Sequence, residues 1–322
     1  MTRSRLLRRL AIALPILAVL AYGGASWYVY DKLSLVEAKC PGEKVVFDPT
    51  SFRLPEVDTE PYLMPEPDDV RFPSRGDPDI AIAAWWVASD ARPDAPAVIV
   101  VHGHNGCRRN ATNLLVAGML HRAGFSVMVI DLRDHGDSTV EDGRFAGGTD
   151  EHRDVLGAVD WLLARETPPA EIGVMGSSLG AATATIAFGQ EPRMAALWED
   201  SGFADISEAI RDELARNNYP TFLAAGGVVA GRLVVGDDLT AFSPLDEIGR
   251  ANGRPVFITH GVADERLSVR YAEELAVRVR ESGGEVEPWI VPGAGHTQAI
   301  TIATDEYEDR LIEFFISALG AP

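Results

Sequence analysis

The stretch from 171 to 188 constrains the fold of this chain more than any other. A short, mostly apolar run at 171–175 predicts a buried strand, and the small residues at 181–188 are compatible with a helix. Between them, residues 176–180 read Gly-Ser-Ser-Leu-Gly and fit the pattern G-x-S-x-G, with Ser178 at the centre. A strand, a tight turn and a helix are the context in which this pattern exposes a serine Oγ as a nucleophile elbow. The five residues alone fit an ordinary glycine-rich turn equally well.

The two glycines of this pattern have a steric role in the predicted elbow. Gly176 and Gly180 flank the serine at positions where a side chain would crowd the sharp turn and the contact between helix and strand. A serine hydroxyl is a poor nucleophile at neutral pH, so it also needs a base, and the base needs a partner that fixes its tautomer. The rest of the chain therefore decides between a nucleophile elbow and a plain turn.

His296 is the candidate base. It lies in a glycine-rich segment, 293–297, between a strand-like run at 286–291 and a helix of about five turns that ends near Leu319. Packing alone does not explain a glycine-flanked histidine between a strand and a helix. The chain has seven histidines. His296 is selected because it completes the chain order of nucleophile Ser, acid Asp or Glu, and base His, which is one known order of a catalytic triad.

Asp264 is the candidate acid. Residues 255–261 predict a buried strand that ends in a turn, and Asp264 follows just beyond its carboxyl end. Ligands and catalytic groups collect at that edge of a parallel sheet. Two alternatives stay open, because Asp264 can cap the helix predicted at 268–280 and the neighbouring Glu265 ranks second as the triad carboxylate.

Backbone N–H groups that bind an oxyanion are expected at two places. One belongs to Leu179, the residue after the candidate nucleophile, and the other to the loop after the strand predicted at 97–101. That loop reads His-Gly-His-Asn-Gly at 102–106, in which His104 is the first candidate and Asn105 the second. A glycine turn without a catalytic role is the alternative. It is weakened because the turn falls on the loop that this chemistry requires.

Four segments together resemble the α/β-hydrolase superfamily, in its lysophospholipase, carboxylesterase and prolyl-oligopeptidase-type members. They are residues 102–106, residues 131–138 (Asp-Leu-Arg-Asp-His-Gly-Asp-Ser), residues 176–180, and residues 260–264 together with Gly295 and His296. The resemblance covers residues 69–320. It implies an α/β-hydrolase fold, with a mostly parallel central sheet flanked by helices, in which the 131–138 segment shapes the floor of the site.

The resemblance also implies a serine hydrolase that needs no cofactor, with Ser178, His296 and Asp264 as its triad. The implied bond is a carboxylic ester in a small-molecule or lipid-like acyl substrate, and a thioester or an amide passes through the same intermediate. A serine peptidase of prolyl-oligopeptidase type is the alternative. The alternative of another class is a non-catalytic hydrolase-fold binding protein. The fold alone does not select among these substrates.

The N-terminus predicts a membrane anchor in residues 1–30. Arginines at positions 3, 5, 8 and 9 precede an uncharged stretch, 10–30, which is long enough to cross a bilayer about 30 Å thick as a helix. The aromatic residues at 27, 28 and 30 suit an interfacial belt. Because the arginines precede the stretch and only Lys32 and Lys39 follow closely, the positive-inside rule predicts a cytoplasmic N-terminus and a catalytic domain outside the membrane.

A cleaved signal peptide is the main alternative to this anchor. The sequence Gly-Gly-Ala at 23–25 offers a small-residue site, and cleavage after Ala25 would give a secreted protein. The length of the apolar stretch and its aromatic end favour an uncleaved anchor. A buried core helix is disfavoured because the stretch has no polar face and follows several arginines.

Residues 31–68 are rich in proline and acidic residues, which predicts an extended linker or strap between the membrane and the domain. The chain has two cysteines, Cys40 in this strap and Cys107 beside the predicted oxyanion loop. In an oxidising compartment they are a candidate disulfide that ties the strap to the domain. Two unpaired buried thiols are the alternative.

Strands and helices alternate across residues 69–322, which predicts one α/β domain. A small lid-like insertion is expected at 201–248. Within it, 204–217 predicts a charged amphipathic helix, and 221–235 is strongly apolar but too short for a second membrane span. The apolar stretch is either a lid over an acyl pocket that faces the bilayer or a helix packed on the core.

The charge of the chain excludes one class of partner. A formal net charge of −19 and a pI near 4.7 argue against binding to nucleic acid or to anionic lipid through the domain. No cluster of histidine, cysteine and carboxylate residues has the spacing of metal ligands, so neither a metal nor a cofactor is expected. Length and pattern do not fix an oligomeric state.

Overall fold

Within the described residues, which are 3–36, 40, 47–92 and 94–322, eight strands form one sheet in the computed structural model. The strands are β1 (Asp68–Ser74), β2 (Asp77–Val87), β3 (Ala97–Val101), β4 (Ser126–Ile130), β5 (Ile172–Ser177), β6 (Ala196–Asp200), β7 (Val256–Gly261) and β8 (Trp289–Val291). Their order across the sheet is β1-β2-β4-β3-β5-β6-β7-β8. The pairs β1–β2 and β2–β4 are antiparallel, and all the later pairs are parallel. The mostly parallel sheet predicted from the sequence is therefore confirmed.

Helices cover both faces of this sheet. They are α1 (Arg3–Ser34), α2 (Ala111–Arg122), α3 (His152–Leu163), α4 (Leu179–Gln190), α5 (Ile206–Arg216), α6 (Leu223–Val234), α7 (Pro244–Ile248), α8 (Arg270–Glu281), α9 (Ala299–Ile302) and α10 (Thr304–Leu319). The last predicted helix is divided, because Ala303 has a φ of −131° and a ψ of 50°, which are not helical values. The short helix α9 therefore follows the loop that carries His296, and α10 begins after the break.

Strand β3 shows why the strands read as continuous apolar runs. All five of its residues are buried. Successive side chains of a strand point to opposite faces. Ile99 accordingly belongs to the core cluster that includes residues of α3, α4 and α8, and Val98 and Val100 belong to the cluster that includes residues of α2 and α10. Both faces are apolar because both are covered by helices.

The strap between the N-terminal helix and β1 packs against the domain where it is described. Three of its apolar side chains are buried: Phe52, Tyr62 and Met64. Cys40 and Cys107 are joined by a disulfide, with their Cα atoms 5.5 Å apart. Residues 37–39 and 41–46 of the predicted strap lie outside the described residues. The disulfide attaches the strap beside the loop that follows β3.

The turn after β4 carries a buried ion pair. Arg133 and Asp154 of α3 are 2% and 0% exposed, and Nη2 of the arginine lies 2.8 Å from Oδ1 of the aspartate. The same Nη2 donates to Oγ of Ser74 at 2.8 Å. Three residues beyond Arg133, Gly136 has a φ of 54°, and a side chain there would overlap the carboxyl group of Asp131. Arg133 thus joins the turn after β4 to α3 and to the end of β1.

We expect Asp154→Asn to lower the free energy of unfolding by about 3 kcal/mol, because it removes the buried counter-charge of the Arg133 guanidinium and leaves only the half-exposed Glu141 carboxylate, 2.9 Å from Nη1. Urea unfolding of the full-length protein in detergent, followed by tryptophan fluorescence, measures the change. The control is Asp160→Asn, which removes a half-exposed carboxylate 2.6 Å from Arg75 and should change stability by about 1 kcal/mol or less. Equal effects of the two substitutions would contradict the role of the buried pair.

Candidate active site

Ser178 lies in a strained turn between β5 and α4. Its φ of 55° and ψ of −121° are values that residues other than glycine rarely adopt. The backbone N–H of Ser178 donates to the carbonyl of Asp200 at 2.8 Å, which holds the turn in place. A side chain on Gly176 would overlap the backbone of Gly180, and a side chain on Gly180 would overlap the backbone of Val101. Both glycines are therefore required by the close approach of α4 to β5 and β3.

The structure brings the three candidate catalytic side chains into one hydrogen-bonded chain. Nε2 of His296 lies 2.8 Å from Oγ of Ser178, and Nδ1 lies 2.8 Å from Oδ2 of Asp264. With Nδ1 protonated and donating to Asp264, Nε2 is free to accept the serine proton. Asp264, and not the neighbouring Glu265, occupies the position beside the imidazole. The arrangement is suited to activating the Ser178 hydroxyl as a nucleophile.

The Asp264 carboxylate faces four donors. Oδ1 accepts the backbone N–H groups of Arg266 and Leu267 at 2.8 and 2.9 Å. Oδ2 faces His296 and also Nε2 of a second histidine, His260, at 3.1 Å. Burial alone would raise the pKa of Asp264, but the hydrogen bonds from His260 and His296 outweigh it and hold the pKa well below its ordinary range. Asp264 thus caps the turn before α8 with one oxygen and orients His296 with the other.

His260 and Glu199 form a buried layer behind Asp264 to which the sequence assigned no role. Burial alone would lower the pKa of His260, but Asp264 and the nearby Glu199 outweigh it and raise the pKa. Burial raises the pKa of Glu199 to about 7, and its Oε1 accepts the backbone N–H of Gly202 at 2.6 Å. One sequence signal was available, since His260 lies near the end of the strand before Asp264 and precedes the aspartate by four residues.

A cavity of about 230 Å³ opens at Ser178. Its lining comes from the end of α1, the loops after β3 and β4, the elbow, α5 and the loop before α8. It includes Lys32, Leu33, His104, Asn105, Phe145, Leu179, Ile206, Ile210, Glu213 and Arg266. Both candidate oxyanion residues, His104 and Leu179, thus lie on the cavity wall, as does Asn105. Leu179 begins α4, so its N–H has no acceptor within the helix. The contribution of α1 to this wall was not predicted.

The loop after β3 is held by neutral histidines. Burial lowers the pKa of His102 and of His104 to about 3. Nδ1 of His102 donates to the carbonyl of Gly103 at 2.8 Å, and Nε2 accepts the N–H of Leu132 at 3.1 Å. The His104 ring packs 4.5 Å from the ring of Phe145. In the part of the chain that the structure describes, no group of three or more His, Cys, Asp or Glu residues is placed to hold a metal ion.

The predicted lid at 201–248 contains two helices with different neighbours. Helix α5 contributes Ile206, Ile210 and Glu213 to the cavity wall. Helix α6, which corresponds to the apolar stretch 221–235, packs along α1 instead. Within the described residues, none of the residues that line the cavity belongs to α6. The apolar stretch 221–235, expected either as a lid over the pocket or as a helix on the core, therefore contacts the N-terminal helix, and the charged helix predicted at 204–217 lines the cavity.

The sequence comparisons identify one family. The prolyl oligopeptidase family matches residues 112–321, a range that contains Ser178, Asp264 and His296. The chain is 26% identical over 290 residues to an uncharacterized protein of Mycobacterium tuberculosis, with 88% of each chain covered. It is also 28% identical over 130 residues to an uncharacterized 31.7 kDa protein of Escherichia coli, which covers 40% of this chain and 45% of that protein.

Solved structures share the fold of this chain. An esterase of Pyrococcus furiosus has a TM-score of 0.65 at 21% identity and covers 89% of this chain and 99% of its own. An acylaminoacyl peptidase of Pyrococcus horikoshii has a TM-score of 0.58 at 18% identity and covers 79% of this chain and 42% of its own. At these identities the likeness concerns the fold. It confirms the α/β-hydrolase architecture that the sequence motifs predicted.

We expect Glu199→Gln to flatten the pH dependence of stability. The folded-state pKa of Glu199 is about 7 against an ordinary value of 4.5. Between these two values the unfolded chain releases the proton while the folded protein retains it, so the free energy of unfolding falls as the pH rises from about 4.5 to about 7. The free energy of unfolding of the wild type, relative to that of Glu199→Gln, should fall by about 3 kcal/mol across that range.

Urea unfolding at a series of pH values measures this difference. The control is Glu313→Gln, at an exposed position of α10, which should keep the wild-type pH profile. Parallel profiles for the wild type and Glu199→Gln would show that Glu199 does not retain a proton in the folded protein.

Proposed function

Because the chain belongs to the prolyl oligopeptidase family, we propose that it is a serine hydrolase that cleaves a carboxylic ester through an acyl-enzyme. The observation that carries the proposal is the hydrogen-bonded chain from Ser178 through His296 to Asp264, with 2.8 Å at each link. A nucleophile, a base and an orienting carboxylate in this order are what acyl transfer requires. Ser178 also opens onto a cavity that can receive a substrate.

In the proposed mechanism, Oγ of Ser178 attacks the carbonyl carbon while Nε2 of His296 takes its proton. Asp264 holds the Nδ1–H and stabilises the imidazolium that forms. The backbone N–H groups of Leu179 and His104 bind the oxyanion of the tetrahedral intermediate. The imidazolium then protonates the leaving alcohol. Water attacks the acyl-enzyme by the reverse sequence of proton transfers and releases the acid.

An amide substrate is the second candidate. It passes through the same tetrahedral intermediate, and one protein that shares the fold is an acylaminoacyl peptidase. The ester is preferred because the cavity wall is built largely from aliphatic and aromatic side chains, which suit an acyl chain: Leu33, Phe145, Phe203, Ile206 and Ile210. A non-catalytic binding protein is disfavoured because Ser178, His296 and Asp264 are all present and in hydrogen-bonding positions.

The proposed enzyme is anchored to a membrane by α1. The segment Arg9–Ser34 is long and apolar enough to cross a bilayer, and most of it is exposed. Its C-terminal end packs on the domain, where Asp31 lies 2.7 Å from Arg144 and Ser34 accepts a hydrogen bond from the same guanidinium. The arginines before the apolar stretch favour a cytoplasmic N-terminus and a catalytic domain on the other side. Secretion after cleavage at Ala25 is the alternative, and it would leave this docked end in place.

We expect a fluorophosphonate probe to label the full-length protein at one site and Ser178→Ala to abolish the labelling. The probe reacts with a serine that a neighbouring base has activated, which is the state proposed for Ser178. In-gel fluorescence measures the labelling, and hydrolysis of p-nitrophenyl butyrate measures turnover. The control is Ser177→Ala, which removes the adjacent hydroxyl and leaves the candidate nucleophile in place. Labelling that survives Ser178→Ala would rule out the proposed nucleophile.

We expect Asp264→Asn to lower kcat for p-nitrophenyl butyrate by about 10³- to 10⁴-fold, because an amide at this position no longer fixes the tautomer that leaves Nε2 free to accept the proton. The control is Glu265→Gln, which alters the exposed carboxylate next to it and should change kcat less than twofold, roughly the scatter of neutral surface changes. Steady-state kinetics at pH 7 to 8 measures both. A larger loss for Glu265→Gln than for Asp264→Asn would reverse the assignment of the acid.

A further inference from the structure

Helix α6 packs along the C-terminal half of α1, and the two helices run in the same direction. The hydroxyl of Tyr22 donates to the carbonyl of Phe222, just before α6, at 3.1 Å. Closer to the C-terminal ends of both helices, a side chain on Gly231 would lie 2.5 Å from the ring of Tyr30. Gly226 lies between these contacts and would likewise collide with Ser26. Small residues at such spacing allow two helices to approach closely, as they do in membranes.

The position of this contact along α1 determines how far inside the membrane α6 would begin, if α1 crosses the bilayer. The uncharged stretch at 10–30 fills a hydrocarbon core about 30 Å thick if it begins at the membrane boundary. Tyr22 precedes Tyr30 by eight residues, which is about 12 Å along a helix. The beginning of α6 therefore lies about 12 Å inside the boundary, or about 7 Å inside if Trp27 marks it. Interfacial helices lie at comparable depths.

The exposed face of α6 has the chemistry that this depth requires. Phe222, Val229 and Leu233 are 67%, 54% and 79% exposed, and their spacing of seven and four residues places them on one face. Arg232 is the only charged residue between 217 and 234. It lies at the outer end of the helix, 3.5 Å from Asp238. A face of this kind is unfavourable in water and favourable against lipid chains.

The cavity at Ser178 adjoins the same pair of helices. Lys32 and Leu33, directly beyond the apolar part of α1, line it together with Ile206 and Glu213 of α5. Helix α5 leads into α6 through the short connection at 217–222. The wall of the cavity on this side is thus continuous with the two helices that the depth estimate places in the membrane.

We propose that α6 is immersed beside α1 in the leaflet nearest the catalytic domain, and that Ser178 receives a long-chain acyl ester of a membrane lipid from that leaflet. This inference rests on the proposed function, since it requires an esterase anchored by α1. The exposed face of α6 is covered by lipid acyl chains. The substrate then reaches the cavity past Lys32 and Leu33 without leaving the membrane surface for the aqueous phase.

Depth-dependent quenching tests the position of α6. A nitrobenzoxadiazole fluorophore is attached to Val229→Cys in the full-length protein in phosphatidylcholine vesicles, and doxyl-labelled phosphatidylcholine is the quencher. The native cysteines are joined to each other and do not compete for the label. The control is Val277→Cys on α8, a helix that packs against α7 and β7, where the native side chain is 47% exposed. We expect strong quenching at 229 and the fluorescence of a water-exposed label at 277.

Two results of this measurement would overturn the inference. Equal, water-like fluorescence at 229 and 277 would show that α6 lies outside the bilayer. A shielded label at 229 that doxyl lipid does not quench would show that protein, such as a second copy of the chain, covers the face instead of lipid.

Substrate presentation tests the source of the ester. Phe222→Asp should lower the hydrolysis of monoolein embedded in phosphatidylcholine vesicles by about tenfold, because residue 222 lies at the deepest level of the α6 contact with α1 and a charge there is strongly disfavoured in lipid. Hydrolysis of soluble p-nitrophenyl butyrate should be unchanged, and Val277→Asp should affect neither substrate. Equal loss on both substrates, or no loss on monoolein, would overturn the inference while fluorophosphonate labelling of Ser178 leaves the proposed hydrolase intact.

Absence of that labelling in the wild type would instead contradict the proposed function, and the quenching comparison would still decide where α6 lies.

Discussion

The close approach of α4 to the ends of β3 and β5 is the contact on which the site depends. It leaves no room for side chains at Gly176 and Gly180, and it holds Ser178 in a backbone conformation with a φ of 55° and a ψ of −121°. That strain is stabilised by the buried sheet on either side of the turn. Once the serine is raised at the edge of the sheet, the loops after β7 and β8 bring Asp264 and His296 to it with hydrogen bonds of 2.8 Å.

The N-terminal helix is as much a part of the catalytic domain as of the proposed anchor. Its end is buried through Val29 and Tyr30, and Tyr30 donates to Asp237 in the insertion after β6. A second attachment, the disulfide between Cys40 and Cys107, fixes the strap beside the loop after β3. The two attachments hold the C-terminal end of α1 on the side of the domain where the cavity opens, and Lys32 and Leu33 line that cavity. If α1 is the anchor proposed above, these two attachments and not a flexible linker set the orientation of the domain relative to the bilayer.

The local hydrophobic pattern predicted most of the fold, and the order of residue types along the chain predicted most of the candidate site. Continuous apolar runs predicted the buried strands, because helices cover both faces, and the order of Ser178, Asp264 and His296 selected three side chains that the structure places in hydrogen-bonding distance. His260 had only a weak signal, its place four residues before Asp264, and Glu199 had none, because it lies on a neighbouring strand that is distant in sequence. The docking of α6 on α1 is likewise a contact between residues about 200 positions apart, which hydrophobic periodicity cannot encode.

The central claim is that turnover passes through an ester bond on Ser178. Acid-quenched reaction of the full-length protein with p-nitrophenyl acetate, followed by proteolysis and mass spectrometry of the peptide that spans the elbow, measures this most directly. The account predicts an acetyl group on Ser178 that accumulates within the first turnovers and is absent in His296→Ala. Turnover without an acyl adduct on this peptide, or an adduct on a different residue, would contradict it.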